Sequence, residues 1–281
     1  MTDAKGFPGC EERFADVKGS VLRYFVGGPP GGPPVVLVHG LGGCAANWVD
    51  VAPLLLETRR VLVPELPGHG LSTPLPAVPN LAVFADRVAL VAEREGMLPA
   101  AFVGHSLGGV VALRLALRRP GDVTALVLAA AAGISSTTRR AKYGLRILGI
   151  IGPRRLVAPW ADSVAESAFL RYAVFGRWGA VDPLALSREA VDGFLDGTRL
   201  TSDSVSAARA VVEDDVRQDL GELDCPTLVL WGARDNQLAV ADALDFARRL
   251  DAPLRVIADC GHLLIGERPD LCAEAIESFL G

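Results

Sequence analysis

Long apolar runs are missing from this sequence. Half of its 281 residues are hydrophobic, yet Gly, Pro or a charge breaks every stretch before the roughly 18 residues that a membrane-spanning helix needs. The opening MTDAKGFPGCEERF has no apolar core of the kind a secretory signal carries, so a soluble, cytoplasmic protein is expected. Closely spaced cysteines are missing too. Cys10, Cys44, Cys225, Cys260 and Cys272 are odd in number and far apart, with no C-x-x-C, which fits free thiols in a reducing compartment better than a disulfide frame or a zinc site. There is no surplus of positive charge. The 28 basic and 33 acidic residues are intermixed, for a net charge of −5, so no nucleic-acid partner is expected, and Arg139-Arg140 and Arg154-Arg155 read as solvated faces. Nothing implies a metal or an organic cofactor.

What the sequence does have is alternation. RFADVKGSVLRYFVG predicts two strands about a turn at Lys18-Gly19-Ser20. VVLVHG and RRVLVPEL are continuous apolar runs, the pattern of strands covered on both faces. LAVFADRVALVAEREGM (81–97) sets Leu81, Phe84, Val88 and Val91 on one helical stripe, with Asn80 as N-cap. AAFV is the next strand, and SLGGVVALRLALRR a helix stopped at Pro120-Gly121. VTALVLAAA, TLVLWG and PLRVIA read as strands, AVADALDFARRL and PDLCAEAIESFL as helices. The fold class that follows is α/β, with a mostly parallel central sheet and helices on both faces. Between 134 and 219 the rhythm breaks into helical pieces such as VAESAFLRYAVFGRW, predicting a helical insertion and leaving 1–133 and 220–281 as the core.

Gly104-His105-Ser106-Leu107-Gly108 fits G-x-S-x-G, with a strand before it and a helix after it. On so sharp a turn, the positions two before and two after the serine pass close together, and a Cβ at either would clash. The turn exposes the hydroxyl at the C-terminal edge of the sheet and aims the first amides of the helix at the same spot. A packing role for the glycines accounts for Gly109 but leaves Ser106 without a purpose.

A serine hydroxyl needs a base, and the sequence has only four histidines. His105 lies within the turn and cannot reach back to its neighbour's hydroxyl. His39 and His69 sit in HGLGG and PGHGLS, where bracing a loop is the simpler role. His262, after the last strand, is therefore the candidate base. Asp235, after TLVLWG, is the candidate carboxylate that holds the imidazole. Its other reading is a helix N-cap, and Asp214, Asp215 and Asp219 lie nearer the insertion. Two amides must face a developing oxyanion: that of Leu107, and that of Leu41 in His39-Gly40-Leu41-Gly42-Gly43, a run that also reads as a flexible glycine turn.

HGLGG, PELPGHGLS, GHSLGG, LWGARD and CGHLLIGERPD, in this order and approximate spacing, resemble the α/β-hydrolase superfamily over nearly the whole chain. The resemblance implies a serine-esterase cycle through an acyl-enzyme on Ser106, with the 134–219 insertion as a lid. Within the lid, Tyr143, Trp160, Phe169, Tyr172, Phe175 and Trp178 either line an apolar pocket or form the lid's own core. Cys44 and Trp48 are candidates for the pocket floor or for core packing. Glu65 departs from the aspartate usual in the related motif, at a loop-bracing position. Serine at residue 106 separates the chain from the dehalogenases and epoxide hydrolases that use aspartate there. The expected activity is hydrolysis of a small-molecule carboxylic ester with an apolar acyl or alcohol part. Carbon–carbon hydrolysis of a diketone-like metabolite, acyl transfer and perhydrolysis remain open on the same three residues. A ligand-binding module without turnover is the alternative from another class, and an intact Ser-Asp-His set argues against it.

Overall fold

The computed structural model describes residues 8–75, 80–135, 160–176 and 179–281. Eight strands form one sheet: β1 (Cys10–Val17), β2 (Ser20–Gly27), β3 (Pro34–Val38), β4 (Arg60–Pro64), β5 (Ala100–His105), β6 (Val123–Ala129), β7 (Thr227–Gly232) and β8 (Leu254–Ile257). Their spatial order is β1-β2-β4-β3-β5-β6-β7-β8, and only β2 runs against the others. The β1–β2 hairpin turns on Lys18 and Gly19, both left-handed at φ 53° and 79°, while Ser20 already pairs with Val17. β5 and β7 are buried along their whole length, and β3 from Val35 to Val38, which is why their sequences do not alternate.

The chain steps from β3 to β4 in one direction and from β4 over to β5 and β6 in the other. Right-handed crossovers then send the connecting helices to opposite faces. On one face, helix Leu81–Arg94 packs against helix Leu107–Arg118. Asn80 caps the former by accepting the Val83 amide at 3.0 Å, and Leu81, Phe84, Val88 and Val91 are buried as the stripe requires. On the other face, helix Pro269–Leu280 meets Ala52–Leu55 and β7. The reversal of direction falls between β3 and β5, and open α/β sheets bind ligands in the crevice at such a point. Val38 and Gly104 are register partners there, so the loops leaving the two strands start side by side.

Between β6 and β7 the described residues form helices and no strand: Ala161–Glu166, Ala168–Arg171, Arg188–Leu200 and Ser204–Glu213. Helix Arg188–Leu200 lies on residues 43–46 through Gly193 and Gly197. A Cβ on Gly193 would stand 2.5 Å from the Ala46 carbonyl oxygen, and one on Gly197 2.8 Å from the Gly43 carbonyl carbon.

Two glycines let helix Leu107–Arg118 settle on the strands. A Cβ on Gly104 would meet the Gly108 carbonyl oxygen at 2.2 Å, and one on Gly108 would meet the Val38 carbonyl oxygen at 2.1 Å. Two buried histidines fasten the neighbouring loops. His39 donates from Nδ1 to the Gly40 carbonyl at 2.8 Å and accepts the Leu66 amide on Nε2 at 3.0 Å. Those partners fix one neutral tautomer, because a carbonyl only accepts and an amide only donates. Burial, reinforced by the neighbouring His69, lowers the His39 pKa to about 3, and burial lowers that of His69 to about 4.

Gly108→Ala is predicted to destabilise by about 3 kcal/mol or more, since backbone on backbone leaves no rotamer as an escape. Gly121→Ala, with nothing within 4 Å of its Cβ, is predicted to stay within about 0.5 kcal/mol of the parent. Urea unfolding of both variants checks the contrast. Both histidines remain neutral in the fold, while the unfolded chain takes up protons below the ordinary value of 6.5. Stability is therefore complete above pH 6.5 and falls as the pH drops toward 4. Each histidine contributes up to about 1.4 kcal/mol per pH unit in that window. Denaturant titrations across it should give a shallower slope for His39→Gln than for the parent; equal slopes would contradict the assignment.

Candidate active site

Ser106 occupies the first position after β5 with φ 55° and ψ −115°, a left-handed conformation that costs a non-glycine residue roughly 1–3 kcal/mol. Its own backbone bonds hold it there. The Ser106 amide donates to the Ala129 carbonyl at 3.0 Å, and its carbonyl accepts from Gly109 and Ala132 at 3.1 Å each. The end of β6 thus grips the turn and stands the side chain over the sheet edge.

Two loops from the same edge meet it. After β8, His262 accepts the Ser106 hydroxyl on Nε2 at 3.1 Å. Its Nδ1 donates to Asp235 Oδ2 at 2.8 Å. Asp235 follows β7, and its Oδ1 accepts the amides of Gln237 and Leu238 at 2.8 and 2.9 Å. Burial works against its charge, but the imidazole and the two amides outweigh it and hold the carboxyl below the usual aspartate range. Asp235 is not the cap of the next helix, whose N-cap is Ala239. The competing acids are engaged elsewhere: Asp214 and Asp219 pair with Arg114, and Asp215 with Arg217.

The amides of Leu41 and Leu107 have no hydrogen-bond partner among the described residues. Leu107 opens helix Leu107–Arg118, where an amide has no intrahelical acceptor and the helix dipole is positive. Leu41 follows Gly40, which lies so near the turn that a Cβ on it would stand 3.1 Å from the Ser106 Cβ. Both amides therefore leave the turn region with free donors. Glu65 braces this loop from below, accepting the Ala45 amide at 3.3 Å and the Leu71 amide at 2.7 Å. Its extra methylene relative to aspartate is accommodated at Gly70, where a Cβ would stand 2.2 Å from the carboxyl.

The aromatic and thiol candidates fare differently. Cys44 and Trp48 have almost no free surface. Cys44 Sγ donates to the Gly193 carbonyl at 3.5 Å, and Trp48 belongs to the core, so both pack rather than present a wall to a ligand. Phe175 is likewise buried, with its ring centroid 6.4 Å from that of Phe194. Trp160, Phe169 and Tyr172 are exposed. Tyr143 and Trp178 lie outside the described residues. Among the described residues no cluster of His, Cys, Asp or Glu has the makings of a metal site, and no helix is long and apolar enough to cross a membrane.

Two residues at this edge escape a reading of the sequence. His105, set aside above as unable to serve Ser106, donates from Nε2 to the His262 backbone carbonyl at 2.8 Å. Glu267 accepts the Gly261 amide at 2.9 Å, one residue before that histidine. Their only sequence signal is membership of GHS and GERP, next to the candidate residues.

The family model described as "Alpha/beta hydrolase family" matches residues 35–275. A pimeloyl-[acyl-carrier protein] methyl ester esterase of Aromatoleum aromaticum is 33% identical over 88% of this chain and 98% of its own length. The dihydrolipoyllysine-residue acetyltransferase component of the acetoin cleaving system of Pseudomonas putida is 29% identical over 95% of this chain and 68% of its own length. The crystal structure of a hydrolase of Pseudomonas aeruginosa superposes with a TM-score of 0.79 at 26% identity, covering 96% of this chain and 98% of that one. With its strand order, its serine turn and a match across most of its length, the chain belongs to the alpha/beta hydrolase family.

Proposed function

We propose that the protein is a serine hydrolase that cleaves carboxylic esters through an acyl-enzyme on Ser106. The observation that carries this reading is the continuous hydrogen-bond chain from Ser106 Oγ through His262 to Asp235, at 3.1 and 2.8 Å. In the proposed cycle, Ser106 Oγ attacks the ester carbonyl carbon as His262 Nε2 takes its proton. Asp235 keeps the ring in the tautomer that leaves Nε2 free to accept, and stabilises the imidazolium. The carbonyl oxygen becomes an oxyanion facing the amides of Leu41 and Leu107. The tetrahedral adduct collapses, the C–O bond breaks, and the alcohol leaves with the proton from His262. Water then repeats the sequence, with His262 as base, and releases the acid and free Ser106.

The 134–219 segment acts in this reading as a cap that sets substrate choice. Support comes from helix Arg188–Leu200, whose Gly193 and Gly197 lie against residues 43–46, which follow Leu41 in the same loop. An apolar acyl or alcohol part is the substrate class we assign. The name of the Aromatoleum relative supports ester cleavage. Acyl transfer is the second reading, favoured by the name of the Pseudomonas putida relative. It differs only in which nucleophile resolves the acyl-enzyme.

A p-nitrophenyl ester series of increasing chain length tests this on wild type and Ser106→Ala. Wild type should turn the esters over, and the variant should lose about four orders of magnitude or more in kcat. Equal rates for the two proteins would refute the reading. Added alcohol that diverts most of the acyl group from water would favour acyl transfer.

A further inference from the structure

The loop around His262 is held by its backbone at residues 261–263 as well as by the His262 ring, and the backbone contacts come from three parts of the chain. The Gly261 amide donates to Glu267 Oε2 at 2.9 Å, the His262 carbonyl accepts from His105 at 2.8 Å, and the Leu263 amide donates to the Gly179 carbonyl at 3.1 Å. Gly179 lies within the 134–219 segment. It touches the histidine loop so closely that a Cβ on Gly261 would stand 2.2 Å from the Gly179 carbonyl oxygen.

Glu267 connects the same two stretches a second time. Its side chain is buried. Oε2 holds Gly261, and Oε1 accepts the amides of Val181 and Asp182 at 2.9 and 3.1 Å. Arg268 does not neutralise the carboxylate by a hydrogen bond, for its guanidinium donates to the backbone carbonyls of Glu267 and Asp259. A buried carboxylate that satisfies three amides, two on one side and one on the other, works as a rigid two-ended clamp. Burial pushes its pKa up, while the three amides pull it down without cancelling the rise.

We propose that Glu267 is a positioning residue: one carboxylate sets the backbone at Gly261, just before His262, and anchors the 179–182 stretch, so that alignment of the base and seating of residues 179–182 are coupled. The proposal rests on the reading of Ser106 and His262 as nucleophile and base. Glu267→Gln keeps the shape but exchanges one acceptor oxygen for an NH2 donor. The remaining oxygen does better facing the two amides of Val181 and Asp182, which leaves a donor against the Gly261 amide. The histidine loop then shifts, and a displacement of about 1 Å between base and nucleophile is worth on the order of 100-fold in rate.

The test is the rate at which a small fluorophosphonate labels Ser106, measured by intact mass alongside the melting temperature. Wild type should label at Ser106, and failure there would sink the function proposed above rather than the clamp. Folded Glu267→Gln should label on the order of tenfold to 100-fold more slowly. With a short ester it should lose kcat far more than it changes KM. A purely structural residue would lower the melting temperature and leave both rates intact, and that result would overturn the proposal. Should the variant fail to fold, hydrogen exchange in the wild type decides. The amides of Gly261, Val181 and Asp182 should open together, with protection factors within about threefold of each other. Exchange at Gly261 that is independent of the other two would overturn it equally.

Discussion

One strained residue organises the rest. Ser106 stays at φ 55° because Ala129, Ala132 and Gly109 bind its backbone, and because glycines at 104, 108 and 109 let the backbones cross without a clash. Relaxing that conformation would turn the hydroxyl away from His262. The strain is local, roughly 1–3 kcal/mol, and the surrounding sheet is buried and continuous enough to hold it.

Convergence at the edge follows from topology. β5, β7 and β8 run parallel, so their C-terminal loops leave the sheet on one side and bring residues 106, 235 and 262 together. The reversal of strand order at β3 brings the Leu41 loop alongside. Around this core runs a layer of braces: His39 between the Gly40 and Leu66 loops, Glu65 under Ala45, His105 and Glu267 on either side of His262. Each uses a buried polar side chain to fix backbone. The bonds they make to the Gly40 and His262 carbonyls and to the Leu66, Ala45 and Gly261 amides offset part of the polar cost of that burial.

Much of this architecture is legible in the sequence because its signals are local. G-x-S-x-G announces its own steric requirement, and the strand runs announce their burial. The choice of His262 needs only that three other histidines have better uses, which the bonds of His39, His69 and His105 display. The braces are not legible, because their partners are remote: Glu267 meets Val181 86 positions away, and His105 meets His262 157 positions away. Cys44 and Trp48 show the opposite hazard. Closeness to the Leu41 loop in sequence suggests a pocket wall, yet the helix carrying Gly193 covers Cys44 and the core takes up Trp48. Aromatic residues such as Phe169 and Phe175 share one helical stretch but take opposite fates, exposed and buried, which composition alone does not distinguish.

The central claim is that the nucleophile, base and two free amides face a single reacting centre. A crystal structure of the protein after treatment with an alkyl phosphonate ester tests it most directly. The account predicts a phosphorus atom bonded to Ser106 Oγ, with one non-bridging oxygen within about 2.7–3.1 Å of both the Leu41 and Leu107 amide nitrogens. An adduct on another residue, or a phosphoryl oxygen turned away from both amides, would contradict it.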